Sequence, residues 1–165
     1  MAFAIYYRST RPVSAARAEV ICQAVDVHNA GRTWLSCEPV GLRADDADGH
    51  LVGRSKPNFH PDPDDIKSAR RQALPDGTVR ILIDILRQIS RDHGIDWEIS
   101  HDYDPGPLGF IRNGQCDPQV LNLAEGFNEL GDILASELSL ADLGSDDDEE
   151  EDGDDEPRIL KFPGR

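Results

Sequence analysis

The nine residues Asp96–Asp104 (DWEISHDYD) place a tryptophan, a glutamate, a serine, a histidine, a tyrosine and three aspartates in one short run. His101 beside Tyr103 is the pair with chemical use here. An imidazole near a rim can act as a general base or hold a ligand carboxylate. Side chains alternate along a strand, so Trp97, Ile99, His101 and Tyr103 share one face, while Asp96, Glu98, Ser100, Asp102 and Asp104 share the other. His101 and Asp102 then point apart and form no dyad. Glu98, Ser100 and Asp102 line up, but two carboxylates and a hydroxyl on an open strand face make a poor cage for Mg²⁺, so no metal is assigned. The plain alternatives are a solvated acidic face and a half-buried histidine bonded to backbone or to the Tyr103 hydroxyl.

A second group lies in the loop GRSKPNFHPDPDD, residues 53–65. Arg54, Lys56, Asn58 and His60 supply donors, Phe59 an anchor, and three prolines lower the entropy lost on binding. The competing reading is a crossover loop pinned by Phe59. The loop lacks the glycines of a phosphate cradle, and no cofactor is implied. Arg112, on a return strand, is expected to pair across strands with Asp102 or Glu98. Cys116 precedes a helix start, where the dipole lowers a thiol pKa, and no GxSxG elbow accompanies it.

These residues need elements to position them. AFAIYY (2–7) reads as an interior strand. Ser14 opens a helix whose periodic residues are Val20, Ala24 and Val27, with Ile21, Val25 and His28 beside them, and Gly31 closes it. TWLSCEPVGL (33–42) reads as a strand, DADG (46–49) as a turn and HLVG (50–53) as the returning strand. Asp62 and Pro63 start a short helix. Val79, Leu82, Leu86 and Ile89, widened by Ile81, Ile83 and Ile85, mark a deeply packed helix ended by Gly94. Residues 95–104 form a strand, DPGP (104–107) the turn and LGFIRNG (108–114) the return. A last helix starts at Asp117–Pro118 and keeps its period through Val120, Leu121, Ala124, Phe127, Leu130, Ile133, Leu134 and Leu138.

The expected fold is α+β: a two-layer sandwich of about five mostly antiparallel strands and three main helices. Gly31–Trp34 and Gly94–Trp97 suggest two α-β-β units related by a pseudo-two-fold. One domain spans 1–140, followed by an acidic tail at 141–165 that is too polar to fold.

Charge narrows the partners. Of the formal −15, residues 146–165 carry −7, from ten acids against three bases, and the rest of the chain carries −8. An acidic body disfavours nucleic acid and anionic membrane surfaces, both of which need a basic face, and suits a basic protein partner. The three cysteines, Cys22, Cys37 and Cys116, form no CxxC and no disulfide framework. With neither a leader nor a membrane span in the sequence, the expected compartment is the cytoplasm. Beyond the acidic run, RILKF (158–162) sets Ile159, Leu160 and Phe162 among bases, the make-up of a docking motif. The resulting expectation is a protein-interaction module for a basic partner. The alternative is a small hydrolase or ligand-binding enzyme using His101 with Tyr103, Glu98 or Asp102.

Overall fold

A computed structural model describes residues 3–142. Among them are six strands and four helices: β1 (Ile5–Ser9), α1 (Ala15–Ala30), β2 (Leu42–Ala44), β3 (Leu51–Ser55), α2 (Pro63–Gln72), α3 (Val79–His93), β4 (Trp97–His101), β5 (Asp104–Arg112), β6 (Gln115–Cys116) and α4 (Pro118–Asp142). The strands form one antiparallel sheet in the order β2-β3-β1-β4-β5-β6. This is an α+β fold. The acidic tail expected from residue 141 lies, beyond Asp142, outside the described residues.

The apolar first strand is central, as its composition requires. Ile5, Tyr7 and Ser9 of β1 line up with Ser55, Gly53 and Leu51 on one side and with His101, Ile99 and Trp97 on the other. These side chains form the covered face, packed under α1, α3 and α4. Tyr6, Arg8, Val52, Arg54, Glu98, Ser100, Phe110 and Arg112 stand on the opposite, open face.

α3 is buried along Val79, Leu82, Leu86 and Ile89, with Ile83 and Ile85 also inside. Thr78 caps its start by accepting from the Ile81 N–H, and Gly94 ends it at φ 58°. Trp97 is fully buried and donates its indole N–H to the Leu86 carbonyl at 3.1 Å, tying β4 to α3.

Several expectations need correction. In α1 the buried residues are Ala18, Ile21 and Val25, while Val20 and Val27 are exposed. Apolar residues occur nearly all round this helix, so contact with α3 and β2 selects the face. Residues 33–41 are not a strand: only single bridges, Thr33–Asp76 and Cys37–Pro57, precede the three-residue β2. Their donors go elsewhere. Asp76 accepts from the Leu35 N–H at 2.9 Å, the Ser36 N–H at 3.3 Å and the Ser36 hydroxyl, and Pro39 has no N–H to give. Trp34 sits against Gly77 and donates its indole N–H to the Asn29 carbonyl. Gly77 is required there, since a Cβ would lie 2.3 Å from the Trp34 ring.

The reversal after β4 comes earlier than expected, at Asp102–Tyr103, with His101 paired to Asp104, so DPGP belongs to β5. Asn113 and Gly114, both at positive φ, then make a two-residue turn into β6. The two hairpins flank β1, β2–β3 meeting it through its second strand and β4–β5 through its first.

The last helix determines the surface. Twenty-five residues of α4 extend about 37 Å, whereas the five-residue central strands extend about 17 Å. On the face towards the core Val120 and Ala124 are buried and Phe127 and Leu134 half-buried, whereas Leu130 and Ile133, turned roughly 80° and 140° round the helix from Val120, are 43 % and 55 % exposed.

Candidate functional site

One end of the covered face is closed by aromatic rings rather than by aliphatic packing. Phe3, just before β1, lies 5.5 Å from the His101 ring, 5.4 Å from Tyr103 and 4.6 Å from Phe127, centroid to centroid. Phe59, from the proline-rich loop, stacks on Phe127 at 5.8 Å. Four separate segments therefore converge: the entry to β1, the loop after β3, the β4–β5 turn and α4. Tyr103 is 65 % exposed, so the rim is open to solvent, and Leu130 and Ile133 continue it along α4.

His101 and Tyr103 are thus brought together, with rings 6.2 Å apart. The histidine is held by its turn: its Nδ1 accepts the Tyr103 N–H at 3.1 Å, leaving Nε2 as its other polar atom. Its carboxylate neighbours are directed elsewhere. Glu98 stands on the open face opposite Phe110. Asp102 accepts the Ala4 N–H at 2.9 Å. Asp102 also engages Tyr6, and this hydrogen bond, ahead of desolvation, raises the Tyr6 hydroxyl above its ordinary pKa. The arrangement leaves an aromatic rim with one histidine at its edge.

The loop residues divide. Phe59 joins the rim. Lys56 exchanges backbone hydrogen bonds with Glu38: the Glu38 N–H donates to its carbonyl, and its own N–H donates to the Glu38 carboxylate at 3.1 Å. The Asn58 N–H donates to the Ser36 carbonyl at 2.8 Å, and its side-chain oxygen accepts the His60 N–H at 3.2 Å. The loop is thereby fixed to residues 36–38, and His60 is exposed beside it. Arg54 lies apart, on the open face opposite Tyr6, where it lines a shallow depression of about 440 Å³ with Arg43, Val52 and Gly53.

Arg112 does not pair with Glu98 or Asp102. Its guanidinium covers the Phe110 ring at 4.1 Å and approaches Asp117 at 3.8 Å. Residue 112 is opposite Gln115, and Asp117 caps the same corner by accepting the Phe110 N–H at 3.0 Å, so the local turn supplies the nearest carboxylate. Cys116 also departs from expectation. Burial pushes its thiol up to about 11, with Arg87 opposing and Asp84 and Asp117 adding to the rise, so no thiolate is favoured there. Burial likewise pushes Cys37 up to about 12.

Sequence reading missed Phe3 and the exposed run of Leu130 and Ile133. The available signal was the width of the apolar set after Pro118, in which Leu130 and Ile133 stand off the Val120–Ala124–Phe127 row.

Charge sharpens the surface. Among its described side chains α4 carries Glu125, Glu129 and Asp132 and no lysine or arginine. Glu129 lies one turn before Ile133 and therefore beside it. Among the described residues, no group of three His, Cys, Asp or Glu side chains could hold a metal ion, and no helix is long and apolar enough to cross a membrane. The chain matches no family model, no curated protein and no solved structure.

Proposed function

We propose that this protein is an interaction module that docks a basic, apolar segment of a protein partner on the rim formed by Phe3, Tyr103, Phe127, Leu130 and Ile133. The supporting observation is the solvent exposure of Leu130 and Ile133 beside Phe127, on a helix with acids and no bases. Exposed apolar side chains bordered by charge mark interaction sites rather than ordinary surface. Aromatic rings held in place by one another cost little further entropy on binding, and a basic partner gains long-range attraction from the negative body. His101 lies at the edge of this surface as a polar contact.

The test is capture from a native extract on the immobilised full chain, compared with a full-chain Leu130→Asp/Ile133→Asp variant at low and high salt. The expected result is a partner held by the wild type, weakened by salt and lost from the variant. Equal retention by both proteins would refute the reading. Both substituted positions are substantially exposed, so the fold survives the change.

A further inference from the structure

We infer that the rim has an occupant within the same chain: the segment Arg158–Phe162 (RILKF) docks on Phe127, Leu130 and Ile133 and competes there with the external partner. This rests on the reading of the rim as a docking surface and assigns it a first ligand.

Three features select this segment. The first is composition. Ile159, Leu160 and Phe162 are apolar, and Arg158 and Lys161 are the bases among them. This is the complement of the exposed apolar side chains on a helix whose charged residues are all acids. The second is spacing. Phe127 to Ile133 rises about 9 Å along α4, and Leu160 and Phe162, which share one side of an extended segment, stand about 7 Å apart, so these two side chains can meet that stretch of the helix. The third is reach. Arg158 follows Asp142 by sixteen residues. That length spans at most about 58 Å, while Ile133 lies only about 14 Å back along the helix from Asp142.

The acidic run between them fits this arrangement. Ten acids at 146–156 are repelled by the acids of α4, so that run does not itself cover those side chains. The first bases after it, Arg158 and Lys161, are drawn to Glu129 and its neighbours. A tether of this length holds its end at an effective concentration on the order of millimolar. A segment of modest intrinsic affinity therefore occupies the rim most of the time, and a partner must bind more tightly to displace it. Specificity follows: weakly basic surfaces do not compete, and a strongly basic apolar segment does.

The experiment titrates a fluorescent peptide with the sequence of residues 157–165 against three full-length proteins. These are the wild type, Leu160→Asp/Phe162→Asp, and the latter combined with Leu130→Asp/Ile133→Asp. The expected result is at least about tenfold tighter peptide binding by the two-site variant than by the wild type, and loss of binding in the four-site variant. Equal binding by wild type and two-site variant overturns the inference, as does binding that survives in the four-site variant. Sedimentation of the wild type is expected to give a monomer at assay concentration. A dimer that dissociates on Leu160→Asp/Phe162→Asp overturns docking within one chain in favour of a second copy. If the peptide fails while capture of a partner still depends on Leu130 and Ile133, only the self-docking falls. If both fail, the docking surface falls with it.

Discussion

Phe59 and Phe127, 68 residues apart in the chain, stack with their centroids 5.8 Å apart and their planes 22° from parallel. This contact fastens the proline-rich loop to α4. Phe127 also meets Phe3, at 4.6 Å between centroids. A double-mutant cycle of Phe59→Ala and Phe127→Ala should therefore give a coupling of about 0.5–1.5 kcal/mol in urea unfolding. A coupling indistinguishable from zero would mean that loop and helix are anchored independently.

Gly53 is fixed by Tyr7. A Cβ at residue 53 would stand 2.0 Å from the Gly41 carbonyl oxygen and 2.2 Å from the Tyr7 ring. The Tyr7 hydroxyl in turn accepts the Gly41 N–H at 3.0 Å and lies 3.1 Å from the Ser55 hydroxyl, so the ring cannot move aside cheaply. Gly53→Ala is expected to cost about 1–3 kcal/mol through overpacking, read as a lower urea midpoint. An unchanged midpoint would show that β2 and the Gly41 segment yield freely.

Acid stability should depend on Asp48. The His50 backbone N–H, and then the His50 and Arg8 side chains, hold its carboxyl at about 2, below the ordinary 3.8, against a smaller opposing effect of desolvation. The native state thus favours the ionised form. The stabilisation is complete above the ordinary carboxylate range and is lost as pH falls from about 4 towards 2. Asp48→Asn should lower stability at neutral pH and flatten this acid limb, measured as unfolding midpoints down the pH scale. A limb of unchanged steepness would assign it to other carboxylates.

Cys116 should react slowly. With its thiol pushed up to about 11 by burial, native protein is expected to take iodoacetamide at this position more slowly than a free thiol does, and to match the free thiol once unfolded in urea. Labelling faster than a free thiol would reinstate an activated cysteine.

Much of the architecture is readable in the residues because it depends on short-range physics. The Val79–Ile89 stripe, the Thr78 and Gly94 boundaries and the Asp62–Pro63 helix start arise from periodicity and from backbone groups seeking local partners. The position of β1 follows from its apolar run. The Asn113–Gly114 hairpin was equally readable, since both residues tolerate positive φ, and only the following helix signal obscured it.

Long-range contacts account for the rest. Asp76, forty residues away, takes the backbone donors of Leu35 and Ser36, which turns an apparent strand into an irregular segment. Packing against α3 and β2 chooses the buried face of α1 from several apolar rows. In the site, the alternation that puts His101 and Tyr103 apart from Glu98 needs no more than strand geometry. Their meeting with Phe3, Phe59 and Phe127 depends on the order of strands and the path of α4. Leu130 and Ile133 are as apolar as Val120 and Ala124. They are exposed because they lie round the helix from the row that meets β5, and which row meets the sheet is a tertiary choice that no local pattern contains.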